Sequence, residues 1–280
     1  MLKRSLTGLL LVGITVAAIY AGGIYVLILL GIIMNFSLYE WSGLMWRTQE
    51  RKTMRWGLFV SSNLLYAATM TLLYARIGCV DGGTAMFPGL MWILALVGMV
   101  ICSLFKEKED INRRSVSLIL GGSLYVGGSL ALLNFLAAPF HADGGHVLMG
   151  FFLLVWMNDV FAYLIGSAWG RHKLCERLSP SKTWEGAVGG VLCAMTGGIL
   201  WGMFMLPHVN PILWISVSAI TPIAAILGDL WESKLKREAG VKDSGHLLPG
   251  HGGFLDRYDS VFIAAPVVVA WWQLFLMIMG

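Results

Sequence analysis

The sequence predicts an all-α, polytopic integral membrane protein, and three observations carry that reading. At 57% apolar and 13% charged residues, with a mean hydropathy of +0.73, this 280-residue chain is far greasier than a soluble domain, which is about a quarter charged. Apolar runs long enough to cross ~30 Å of hydrocarbon as helix recur about nine times. The lysines and arginines between those runs gather on alternate loops, as cytoplasmic loops require.

The nine spans are expected near Leu6 to Tyr20, Ile24 to Trp46, Trp56 to Ala75, Ala85 to Phe105, Val116 to Ala138, His146 to Trp169, Ala187 to Met205, Pro211 to Trp231 and Ser260 to Met279. The first run is short and ends at the Gly22-Gly23 break. Lys3-Arg4 ahead of an apolar run also fits a secretory signal, but a second apolar segment follows at once, so an uncleaved span is expected. With the N-terminus in the cytoplasm, 19 of the 20 basic residues fall on one side and only Arg76 on the other. A wrong number of spans would scramble this alternation. The expected location is therefore the cell's inner (plasma) membrane, multi-pass, with the Ser233 to Asp259 loop facing the cytoplasm.

No soluble domain fits between the spans, so residues 1–280 are expected to form one membrane-embedded domain whose chemistry is concentrated in 151–260. Glycine pairs at 121–122, 127–128, 189–190 and 197–198 lie inside expected helices, where small residues let helices approach closely. Cys79, Cys102, Cys175 and Cys193 show no CxxC spacing and predict neither a disulfide nor a zinc site.

Polar residues that a membrane helix would not carry without a reason mark the candidate site. The 27 positions from Ser233 to Asp259 hold five basic residues, four carboxylates, two histidines and five glycines. Just before them, Asp229 closes an apolar helix, and an intramembrane carboxylate is a functional hypothesis by default. If that helix continues, Asp229, Glu232 or Ser233, and Lys236 share one face; a salt bridge from Asp229 to Lys236 or Arg237 is the structural alternative. Asp256 and Asp259 flank Arg257 after the Gly252-Gly253 turn, a placement suited to Mg²⁺, which prefers a few carboxylates together with waters and phosphates. Asp259 serves equally as a cap for a helix starting near Ser260.

A second cluster, Leu178-Ser179-Pro180-Ser181-Lys182-Thr183-Trp184-Glu185-Gly186, combines hydroxyls and a lysine suited to phosphate oxygens; the same residues suit a capping box begun by Thr183 or Ser181 with Glu185 nearby. Asn158 and Asp159 sit mid-span, with Tyr163 one turn beyond, and two polar residues buried there need partners. Glu40, near the end of the second span beside Trp41, is expected to snorkel to the interface. His246 and His251 lack HxxxH spacing, so no transition-metal site is expected; His251 is expected to brace the glycine turn.

Taken together, Ser233-Lys234-Leu235-Lys236-Arg237, Lys242-Asp243-Ser244-Gly245 and Pro249-Gly250-His251-Gly252-Gly253-Phe254-Leu255-Asp256-Arg257-Tyr258-Asp259 resemble the signature of bacterial phosphatidate cytidylyltransferases, the CDP-diacylglycerol synthases. Tyr258 departs from it, standing where the family more often has an aliphatic residue. The family's S-P-K-K-[ST]-W-E-G element is matched with Ser181 in place of one lysine, so its phosphate role passes to Lys182 alone. The resemblance implies transfer of CMP from CTP to phosphatidic acid, with Mg²⁺ on Asp229 and Asp256 only; Asp259 and Asp243 are weaker candidates from their own position, and a second cation is allowed for. It implies Lys242 and Asp243 among the catalytic residues. Ser181, Lys182, Ser233, Lys236, Arg237, His251, Gly252, Gly253 and Arg257 would then bind substrate, with Asn158 and Asp159 lining the lipid end. The expected partners are CTP, phosphatidic acid, the bilayer and a second copy of the chain, with no nucleic acid. A transporter would also bury carboxylates, but the concentration of charge on one face argues for an enzyme. A prenol kinase would share CTP yet carry other motifs.

Overall fold

A computed structural model of the chain describes residues 2–46, 51–76, 86, 88–91, 93–95, 109–137, 143–248 and 252–279. Its helices are α1 (Leu2–Ala21), α2 (Ile24–Met45), α3 (Arg51–Arg76), α4 (Glu109–Gly122), a π-helical turn (Ser123–Gly128), α5 (Ser129–Ala137), α6 (Gly144–Trp169), α7 (Trp184–Met205), α8 (Pro211–Glu238) and α9 (Leu255–Met279). Seven of the described helical segments are long and apolar enough to cross a membrane, and Gly8–Ala21 is a shorter apolar one. This is an all-α polytopic membrane protein. The span expected at Ala85 to Phe105 lies largely outside the described residues.

Two helices run further than hydropathy alone suggests. α8 passes Trp231 and continues to Glu238, because the polar residues of its last two turns are as helical as the apolar ones before them. Asn210 caps its start by accepting from the Ile212 and Leu213 amides, with Pro211 in the first turn. Its end is closed by Gly240 at φ +73°, which lets the Val241 amide reach the Lys236 carbonyl and the Gly240 amide reach that of Arg237. α9 starts at Leu255 rather than near Ser260, so Asp256 lies in its first turn and Asp259 lies within the helix rather than capping it.

The only named strands among the described residues form a hairpin, β1 (Lys173–Cys175) paired antiparallel with β2 (Ser179–Thr183). Thr183 ends β2 and caps α7, its Oγ1 accepting from the Gly186 amide at 3.2 Å. Ser181 stands on the strand and does not cap. Glu185 turns back instead, accepting from the Arg171 and His172 amides and meeting His172 Nδ1 at 2.6 Å, which ties the base of the hairpin to α7.

The chain forms two compact units. One comprises Met1–Leu10, Leu27–Phe135 and Asp243–Asp256; the other comprises Leu11–Val26, Leu136–Lys242 and Arg257–Gly280. In the first, the Ser123 hydroxyl of the π-helical turn bonds those of Ser61 and Ser62 on α3, at 2.9 and 3.1 Å. Asn134 bonds the Tyr66 hydroxyl, which itself donates to the Leu27 carbonyl at 2.8 Å. These bonds satisfy polar groups that hydrocarbon cannot. In the second, α7 turns a stripe of Gly186, Gly190, Ala194 and Gly198 inward at four-residue spacing. A Cβ at Gly186 would stand 2.6 Å from the Ala162 carbonyl, and one at Gly190 would stand 2.8 Å from that of Asn158, so glycine here is what allows α6 and α7 to touch by backbone.

Candidate active site: a lysine–aspartate cavity

In the Leu136–Lys242 part of the second unit, α6, the hairpin, α7 and α8 enclose a cavity of about 410 Å³ whose polar wall is Asn158, Asp159, Ser181, Lys182, Thr183 and Asp229. Each element delivers its residue for a local reason. β2 alternates, so Lys182 and Thr183 point to opposite faces; Thr183 is buried under the start of α7 while Lys182 reaches across to α8. The Lys182 ammonium bonds Asp229 Oδ2, and Ser233, one turn on, donates to Asp229 Oδ1 at 3.4 Å. The partner of Asp229 is thus a lysine 47 residues away, not Lys236 or Arg237.

Lys236 is engaged instead with Glu232 at 2.5 Å, one turn earlier on α8, and Glu232 is fully buried. The shared face expected of Asp229, Ser233 and Lys236 therefore forms, with Glu232 holding the lysine.

Asn158 and Asp159, about 100° apart around α6, both line the cavity but differ in exposure. Asn158 is buried against Gly190, and its Oδ1 has no partner among the described residues. Asp159 is not buried as expected; it carries exposed surface and lines the cavity. There it interacts electrostatically with Asp229, Lys182 and Arg257, and Asp259 interacts with Asp159, Asp229 and Glu232. Four acids of one unit thus feel one another, with Lys182, Lys236 and Arg257 as their nearby cations.

The remaining candidates lie elsewhere. Arg237 donates to the Val241 carbonyl at 3.3 Å and lines a different cavity of about 420 Å³ with Arg177, Lys234 and Glu238. Lys242 and Asp243 are exposed, and His251 is outside the described residues. In the first unit, Gly252 takes φ +79°, a backbone conformation that a side chain would strain. Both oxygens of Asp256 accept from the Ser244 amide at 3.1 and 3.0 Å, and Oδ2 also accepts from that of Gly253 at 2.9 Å. Asp256 thereby closes the loop before α9 at the end of the helix that favours negative charge.

Glu40 is the residue hydropathy misread. It does not snorkel; it is 3% exposed, and its Oε2 accepts from the Leu255 amide at 2.8 Å and from the Ser244 hydroxyl at 3.3 Å. A glutamate inside an apolar span was the available signal, and the partner it needs lies over 200 residues away in the chain.

Hard oxygen donors are the chemistry Mg²⁺ requires, and a cation, the Lys182 ammonium, already rests on Asp229. Among the described residues no three acids, histidines or cysteines converge as a complete metal cage.

Fold and cavity together define a membrane-embedded protein with a carboxylate and lysine site suited to phosphate groups. The family model described as the cytidylyltransferase family matches residues 2–275, and the chain belongs to that family. It is 43% identical over 176 residues to a phosphatidate cytidylyltransferase of Staphylococcus haemolyticus (strain JCSC1435). Proteins of the same name from Staphylococcus epidermidis (strain ATCC 12228 / FDA PCI 1200) and Staphylococcus aureus (strain COL) are 36% and 35% identical over the same length. Each match takes in 63% of this chain and 66% of the relative.

Proposed function

We propose that the protein is a Mg²⁺-dependent CTP:phosphatidate cytidylyltransferase that makes CDP-diacylglycerol for phospholipid synthesis, with its site open to the cytoplasm. A phosphate oxygen of phosphatidic acid attacks the α-phosphorus of CTP, the bond to the β-phosphate breaks, and pyrophosphate leaves with its electron pair. No protein nucleophile takes part. The obstacle is charge, because a phosphomonoester of nearly two negative charges must approach a triphosphate.

The observation that carries this reading is the Lys182–Asp229 pair in a cavity walled by Ser181, Asn158 and Asp159. As CTP binds, Lys182 leaves Asp229 for the phosphate oxygens. Ser181 and Ser233 orient the phosphates by hydrogen bonding, and Asn158 and Asp159 face the lipid headgroup. Lys236, Arg237, Lys242 and Arg257 add positive potential for the incoming triphosphate. Asp229 and Asp256 are each assigned as a carboxylate that would hold Mg²⁺, with Asp259 and a second cation in a lesser role. Bound there, the ion would neutralise phosphate charge and act as a Lewis acid. Gly252 and Gly253 shape the loop that carries Asp256, with Asp243 beside it, and His251 is assigned to substrate binding.

A membrane site suits these substrates, since CTP arrives from water and phosphatidic acid from the leaflet. The purified protein in detergent, given phosphatidic acid, labelled CTP and Mg²⁺, is expected to yield labelled lipid and pyrophosphate together. Pyrophosphate without labelled lipid, or no turnover in a folded sample, would defeat the proposal.

A further inference from the structure

Within the first unit, α2 engages the loop before α9 at several points. Phe36 stacks on Phe254, ring centroids 4.8 Å apart and 13° from parallel. One helical turn later, on the same face, Glu40 accepts from the Leu255 amide and the Ser244 hydroxyl. Ser244 is shared, its hydroxyl going to Glu40 and its amide to Asp256. Two glycines make room for the carboxylate: a Cβ at Gly245 would stand 2.5 Å from Glu40 Oε1, and one at Gly253 would overlap Oε2. A buried carboxylate in an apolar span is costly to keep, and packing alone would be served better by leucine or methionine. Glu40 spends that cost on the backbone of one loop.

We propose that Glu40 is a positioning residue for cytidylyl transfer, holding the Ser244–Leu255 loop from α2 and, through Ser244, fixing the orientation of the Asp256 carboxylate. The proposal rests on Asp256 being a site residue, as argued above. Its mechanism is hydrogen-bond acceptance at a fixed reach rather than charge. Glutamine keeps both the reach and an acceptor oxygen; aspartate keeps the charge and falls one methylene short of Leu255. Groups that orient a ligand in this way commonly contribute about 10- to 100-fold.

The test compares Glu40→Gln, Glu40→Asp and Glu40→Ala in detergent, reading kcat and KM for CTP together with amide hydrogen exchange across 243–256. Glu40→Ala and Glu40→Asp are expected to lose about 10- to 100-fold in kcat with KM for CTP little changed, and Glu40→Gln to recover most of that loss. Exchange at Leu255 should rise in Glu40→Ala and Glu40→Asp while α3 and α5 keep their protection. Unchanged Leu255 exchange in Glu40→Ala would overturn the proposal, as would a Glu40→Gln as impaired as Glu40→Ala. Loss of protection throughout the unit would overturn it too, showing a merely structural role. Should Glu40→Ala not fold, Ser244→Ala removes one of the same bonds, and unaltered kcat in that variant would count against the idea. The exchange measurement needs no turnover, so it reads the loop contact even if the wild type transfers no cytidylyl group.

Discussion

Asp229, within α8, and Asp256, in the first turn of α9, are both acids on apolar helices, yet they are held in opposite ways. Asp229 is held by side chains, Lys182 and Ser233, at the wall of a cavity. Asp256 is held by backbone amides, those of Ser244 and Gly253, which have no rotamer to change. The contrast teaches what each region can do. A carboxylate partnered by one long, flexible lysine can exchange that partner for an ion when phosphates draw the lysine away. A carboxylate partnered by two amides defines the loop, and Glu40 adds a third backbone grip on the same segment. One region is built to exchange partners and the other to stay in place.

The contrast can be broken most forcefully at Asp229. Asp229→Asn and Lys182→Met are expected to fold, since each removes half of a partly exposed pair, and to cut turnover strongly, with Lys182→Met losing about 10²- to 10³-fold. Near-normal kcat/KM for CTP in folded Lys182→Met would show that the exchangeable pair is structural. A smaller effect sharpens the other side of the comparison. Gly186→Ala places a Cβ against the Ala162 carbonyl and is expected to lower stability by about 1–3 kcal/mol, read as a fall in Tm in detergent; an unchanged Tm would mean that α6 and α7 adjust freely beneath the cavity.

Much of this was legible in the sequence because it rests on local rules. Hydropathy located the long helices, and an acid in an apolar span marked Asp229. The Ser181-Lys182-Thr183 cluster stood out by composition, and Thr183 as a cap by its place before Trp184 and Glu185. What escaped depends on partners far apart in the chain. Nothing local says that Asp229 meets Lys182 rather than Lys236, because all lie on suitable spacings and only the hairpin decides. The hairpin itself was hidden in a segment whose polar residues read as loop. Glu40 looked like an interfacial side chain for the same reason: its partners, Ser244 and Leu255, are distant and mostly backbone. The helical start at Leu255 was missed because hydropathy sees Asp256, Arg257 and Asp259 as polar loop, whereas backbone geometry does not.

The most direct measurement asks whether CTP occupies the lysine–aspartate cavity. Ser181 is exposed on its wall, so Ser181→Cys, in a chain with the four native cysteines replaced, places a thiol there for maleimide labelling. Saturating CTP with Mg²⁺ is expected to slow labelling of that thiol markedly, and ATP to leave it unchanged. Equal labelling with and without CTP, in a variant that still forms labelled lipid, would contradict the account.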